Sequence, residues 1–216
     1  MTIRVKICCI ASEEEAGMAV ICGASALGLV AAMPSGPGPI ADELILRIAG
    51  SVPPPVATFL LTCETSAPAI IAHHWRTLTS TLQLVDEPES GTYETIKKAL
   101  PAIKIVQVIH VRDERSVDWA LQAAGRADAL LLDSGNPALA VKELGGTGRV
   151  HDWRLSRRIV EQSPVPVILA GGLHAGNVRA AIEQVQPFAV DVCSGVRSNG
   201  RLDPRKLESF FRAIMR

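Results

Sequence analysis

The chain has no charge excess: 22 Lys and Arg stand against 22 Asp and Glu over 216 residues. A protein that grips nucleic-acid phosphates keeps a basic surplus, so nucleic acid is not an expected partner. It also lacks any apolar run near the roughly 18 residues of a spanning helix, so no membrane segment is expected. The amino-terminal apolar stretch is short and is followed at once by Glu13–Glu15, which is unlike a signal peptide. The five cysteines (Cys8, Cys9, Cys22, Cys63 and Cys193) form no disulfide framework and no CxxC or HxxxH pair, which suits a reducing cytoplasm and predicts no metal site. With 48% apolar and 20% charged residues, the composition is that of a soluble globular protein, expected as one domain over residues 1–216.

What the chain does have is alternation. Short apolar, β-prone runs are spaced by amphipathic stretches from end to end. Strands are expected at Ile3–Cys9, Ala26–Ala31, Val56–Leu61, Thr81–Val85, Ile103–Val111, Ala129–Asp133, Val165–Leu169 and Phe188–Cys193. Helices are expected at Glu13–Cys22, Ala41–Ile48, Pro68–Thr77, Thr92–Leu100, Ser116–Ala124, Leu155–Glu161, Ala175–Val185 and Pro204–Met215. Ser12 before three glutamates reads as a helix N-cap, and Pro68 and Pro204 fit first-turn positions. Continuously apolar strands such as ALLLD and VPVILA indicate a parallel sheet covered on both faces.

Eight units at about 27 residues each fit either a closed (β/α)8 barrel or an open doubly wound sheet. An open sheet carries a glycine fingerprint after its first strand, whereas that turn here is CCIAS. The glycine turns come after strands six, seven and eight, where many barrels hold a phosphate, so the α/β class is read as a (β/α)8 TIM barrel. The Pro/Gly cluster Met33–Ile40 is expected as a loop over the catalytic face.

In such a barrel the active face lies at the carboxyl ends of the strands. Cys8 and Cys9, Asp133, His110, Asp86, and Asp191 with Cys193 all fall there. Neighbours on a strand point to opposite faces, so one of Cys8 and Cys9 should face the barrel interior and the other the helices. A strand-end cysteine can equally be a small buried hydrophobe, which composition alone favours. Asp133, after three leucines, is a loop or cap residue or a carboxylate at the mouth, and the barrel rule favours the mouth. His73 and His74 are expected on the solvent side of their helix. Gly145–Gly148, Gly171–Gly172 and Ser194–Gly195 together suit a phosphorylated ligand, because glycine lets backbone N–H groups approach an anion.

The segments VKICCI, LLLDS, GGTGRVHDW, ILAGGLHAGNV and VDVCSGV, in this order, resemble the motifs of the phosphoribosylanthranilate isomerase family of tryptophan biosynthesis. The resemblance is strong over Ala129–Val196 and clear at Lys6–Ile10. It implies a cofactor-free Amadori rearrangement of a sugar-phosphate substrate, with Cys8 as general base and Asp133 as general acid. It further implies phosphate binding by Gly171, Gly172, Ser194 and Gly195, with Gly146 lining the neighbouring loop, and a monomer or homodimer. His110, Asp86 and Asp191 are candidates for the substrate pocket. The chain departs from the family in several places. Cys9 stands where the family has glycine, and MPSGPGPI lacks the arginine that pairs with the anthranilate carboxylate. Val85–Asp86 replaces a His–Gly pair, His110 is additional, and Arg197 follows Val196 where the family has glutamate. Arg197 and Arg149 are substitute carboxylate partners or, more simply, solvated surface arginines. These changes leave open a paralogue acting on another sugar-phosphate amine, and a non-catalytic sugar-phosphate binder.

Overall fold

In a computed structural model, which describes residues 3–34, 36–135 and 151–215, eight parallel strands close into a barrel in sequence order. They are β1 (Arg4–Ile7), β2 (Ala26–Val30), β3 (Ala57–Thr62), β4 (Thr81–Leu84), β5 (Lys104–His110), β6 (Ala129–Asp133), β7 (Val167–Leu169) and β8 (Ala189–Val192). The helices between them are α1 (Glu13–Ile21), α2 (Asp42–Ser51), α3 (Ala67–Thr77), α4 (Thr92–Ala99), α5 (Glu114–Ala124), α6 (Trp153–Gln162), α7 (Val178–Val185) and α8 (Pro204–Met215). The expected (β/α)8 barrel is thus the observed one. Closure is made by β1 on β8, with Arg4 opposite Ala189 and Ile7 opposite Val192.

Pleat alternation sorts the strand residues into two cores. Val5, Ile7, Leu27, Leu29, Leu130, Leu132, Val190 and Val192 pack outward with the helices. Cys8, Ala26, Val30, Phe59, Leu61, Val106, Val108, Leu131 and Ala189 fill the barrel. Lys6, Asp133, Asp191 and Cys193 have the parity of the inner set, so the barrel axis rather than the helix layer receives their side chains. Gly28 of β2 makes room for two of these groups. A Cβ there would sit 2.7 Å from Cys8 Sγ and 2.9 Å from Lys6 Nζ.

Local signals act as expected at α1, where Ser12 Oγ accepts from Glu15 N–H at 3.1 Å. Two expectations are corrected. His73 and His74 are buried, not solvent-facing. Asp42 at the start of α2 pulls the His73 face inward: His73 bonds Asp42 Oδ1 at 3.1 Å through Nε2 and Thr62 Oγ1 at 3.0 Å through Nδ1. Arg197 is not a solvated arginine either. It sits in a small antiparallel hairpin, β9 (Arg197–Ser198) and β10 (Arg201–Leu202), entered through a single 3₁₀ turn at Ser194–Val196. The Asn199–Gly200 dipeptide, both residues at positive φ, is the signal that would have revealed this hairpin.

Candidate active site

The strand ends and loops at the carboxyl end of the barrel enclose a pocket of about 670 Å³, counted out to open solvent. Of the residues singled out in the sequence, Cys8, Asp133, Asp191, Gly171, Gly172 and Ser194 line it together. Met33, Gly36 and Pro37 of the loop after β2 close one side, as that loop's position suggested. His110 and Asp86 line an adjoining pocket with Arg112 and Arg115, separated from the first by the shared Val85 and Val108. Gly146 and Arg149 lie outside the described residues.

Cys9 departs from the strand rule. Its φ of +62° is left-handed, the conformation a glycine adopts freely. That single residue cancels the alternation, so Cys9 joins Cys8 in the inner core and lines the same pocket instead of facing the helices. The Cys193 thiol lies 2.7 Å from its sulfur. The cost of the strained backbone is offset in part by Arg197, whose guanidinium donates to the carbonyls of both Cys8 and Cys9. Arg197 is held in turn by Glu15 at 3.0 Å, and Glu15 also accepts from Ala11 N–H and Leu202 N–H. The β1–α1 turn and the hairpin after β8 are therefore clamped together.

Beneath the cysteines, Lys6 Nζ donates to Asp191 Oδ1 at 2.9 Å and stands 5.3 Å from the centre of the Phe59 ring. Both charges are buried. Lys6 belongs to the VKICCI segment, and its i, i+2 relation to Cys8 is the signal that it shares the inner face. The field in this pocket separates two titrations. The Cys9 thiol beside Cys8, with further help from the Lys6 ammonium, holds the Cys8 thiol below its ordinary value against the opposing effect of burial. Its contacts with Cys193 and Cys8, and its burial, push the Cys9 thiol well up. Burial raises Asp133 to about 6, although the Ser134 N–H donates to its Oδ1 at 2.7 Å. Gln83 also lines the pocket, and among the described residues its buried Oε1 has no hydrogen-bond partner. Among the described residues, no group of three or more His, Cys, Asp or Glu is placed to hold a metal.

On the opposite side, Gly171 and Gly172 take φ values of +85° and +63° after β7. Asn177 Nδ2 donates to Gly172 O and fixes the turn. Gly195 has a different setting from its neighbours. It is absent from the pocket wall, and a Cβ on it would lie 2.0 Å from Leu173 O, so it lets the loops after β7 and β8 touch. Gly195→Ala must push two backbones apart. It should lower stability by at least about 1–3 kcal/mol in a denaturant melt, and an unchanged midpoint would contradict the contact.

A family model described as N-(5'-phosphoribosyl)anthranilate (PRA) isomerase matches residues 75–213. The curated N-(5'-phosphoribosyl)anthranilate isomerase of Methanocella arvoryzae is 36% identical over 98% of this chain and 97% of its own length. A second such enzyme from Methanosarcina mazei is 36% identical over 96% of this chain and 92% of its own. Among solved structures, the isomerase of Pyrococcus furiosus superposes with a TM-score of 0.81 at 28% identity, covering 99% of this chain and 98% of that one. A phosphoribosyl anthranilate isomerase in complex with reduced 1-(o-carboxyphenylamino)-1-deoxyribulose 5-phosphate gives a TM-score of 0.79 at 29% identity, covering 99% and 98%.

Proposed function

The chain belongs to the N-(5'-phosphoribosyl)anthranilate isomerase family, and on that premise we propose that it catalyses the family's Amadori rearrangement with Cys8 as general base and Asp133 as general acid. What carries the reading is one observation. Two groups lining a single pocket are driven in opposite directions, the Cys8 thiol toward the thiolate and the Asp133 carboxyl toward the protonated acid. Such divergence is how one site runs acid and base chemistry together.

The steps balance without a cofactor. Asp133 gives its proton to the furanose ring oxygen, the C1–O bond breaks, and the nitrogen lone pair forms the C1=N iminium. Cys8 thiolate takes the proton from C2, and the released electron pair forms the C1=C2 bond while nitrogen regains its lone pair. The resulting enolamine becomes the ketone by protonation at C1 and loss of the C2 hydroxyl proton. The N–H groups of Gly171, Gly172 and Ser194 would receive the sugar phosphate, and the bound compound in a similar solved isomerase is itself a deoxyribulose 5-phosphate. Gln83 Oε1 offers an acceptor to a sugar hydroxyl.

The first test is turnover of freshly made phosphoribosylanthranilate, followed by its fluorescence, in wild type and in Asp133→Asn. The variant should lose about 10²–10⁴-fold in turnover. Its stability should move the other way. A carboxyl whose folded value lies above its unfolded one contributes stability that is complete below about pH 4 and lost as pH rises through 6. The neutral amide escapes that loss, so Asp133→Asn should be more stable than wild type by up to about 3 kcal/mol at pH 7.5 and equal to it near pH 4. A variant that is active, or less stable at pH 7.5, would show that Asp133 is a structural cap.

A second reading rests on the loop Met33–Ile40, which has no arginine for an anthranilate carboxylate. A paralogue that takes another amine would fail to restore growth to a tryptophan auxotroph lacking the isomerase, while still rearranging a different phosphoribosyl amine. The cytoplasm is the location we propose; no helix among the described residues is long and apolar enough to cross a membrane.

A further inference from the structure

We propose that Cys9 and Cys193 form a reversible thiol–disulfide modification site that governs the reactivity of Cys8. The two sulfurs are 2.7 Å apart and unbonded, so a bond of about 2.05 Å needs them to close by roughly two-thirds of an ångström. The backbone permits it. Cys193 directly follows Val192 and Cys9 lies two residues beyond Ile7, the last registered pair of the β1–β8 seam, and Cys8 N–H donates to Val192 O at 2.9 Å. Adjacent strands run about 4.8 Å apart, inside the range of Cα separations that a disulfide spans.

The left-handed residue 9 makes the pair. With ordinary strand geometry its side chain would point to the helices and away from Cys193. The loop over β2 holds it in place, with Pro37 O accepting from the Cys9 thiol at 3.5 Å. Cys193 is partly exposed at the pocket, so a small reagent can reach it, whereas Cys9 is buried. A low-molecular-weight disulfide supplies the oxidant. Cys193 thiolate attacks it and expels one small thiolate. Cys9 then gives up its proton, attacks the Cys193 sulfur of the mixed disulfide and expels the second. Two protein thiols lose two electrons and two protons, and the small disulfide becomes two small thiols. Oxidation removes the Cys9 thiol from beside Cys8, which loses the neighbour that favours its thiolate. Lys6 and Asp191 remain below Cys8 in both states.

The proposal deepens the site described above and rests on Cys8 being its reactive thiolate. The test therefore has readouts that do not require isomerase activity. The reduced full chain is incubated with oxidised glutathione, mapped by non-reducing peptide mass spectrometry, and pulsed with iodoacetamide. The expected result is a Cys9–Cys193 cross-link, with Cys8 alkylation slowed about tenfold and turnover reduced in parallel. Dithiothreitol should reverse all three. Cys193→Ser should show neither cross-link nor slowing relative to its own reduced form. Cys9→Gly, which suits the left-handed backbone, should behave in the same way. Glutathione adducts without a cross-link, a stable bond that includes Cys8, or unchanged Cys8 alkylation would each overturn the proposal. A cross-link that slows Cys8 in a protein with no isomerase turnover would instead overturn the isomerase reading and leave this one standing.

Discussion

Cys8→Ala should abolish measurable isomerisation, with kcat falling about 10²–10⁴-fold, and should change KM and thermal stability little. The change removes one buried sulfur on the pocket wall and keeps the β-carbon, so the loss of packing is small. What disappears is the thiol proposed as the base. Cys8→Ser separates chemistry from shape. The hydroxyl nearly fills the thiol's space, but its proton is held far too firmly near neutral pH for it to act as a base, so the serine variant should be as inactive as the alanine one. Steady-state kinetics beside a thermal melt decide the matter. Activity within tenfold of wild type in either variant would move the base elsewhere, with Cys9 the next thiol on the pocket wall.

Lys6→Met should produce the largest loss of stability. It leaves the Asp191 carboxylate buried in the barrel without the ammonium 2.9 Å away. Removing one partner of a buried pair costs about 3–5 kcal/mol, because the survivor is an uncompensated charge. At about 2–4 °C per kcal/mol for a chain of this size, the melting temperature should fall by roughly 6–20 °C. The pH dependence identifies the cause. Burial already pushes Asp191 up, and without Lys6 nothing in the pair opposes that push. Its folded value then lies above its unfolded value, so the variant keeps most stability in acid and loses it as pH rises toward neutrality. Melts at pH 4.5 and pH 8 should therefore differ far more for Lys6→Met than for wild type. Lys6→Met/Asp191→Leu, which removes both charges, should recover much of the loss at pH 8. Equal losses at both pH values would assign the effect to packing. Lys6→Met should also slow Cys8 alkylation, because the ammonium helps hold that thiol low.

The alternation of elements, the barrel, and the strand-end position of Cys8, Asp133 and Asp191 were legible from sequence because each is written in local periodicity. A parallel strand is apolar on both faces, and residues two apart share one of them, so Lys6 with Cys8 and Leu131 with Asp133 follow from counting. The family motifs carried the candidate roles. Periodicity failed wherever one backbone angle or a distant partner intervened. Cys9 faces inward because a single left-handed φ cancels the alternation. His73 is buried because Asp42 and Thr62, from other elements, satisfy both ring nitrogens. Arg197 is a clamp because the Asn–Gly turn swings it under the Cys8 and Cys9 carbonyls, where Glu15 neutralises it. His110 and Asp86 share the active end but open into the neighbouring pocket. The Lys6–Asp191 pair joins residues 185 apart and the Cys9–Cys193 contact residues 184 apart. Local patterning in a chain reports the dihedral angles and faces of its own segments, whereas contacts between its two ends exist only once β1 closes on β8.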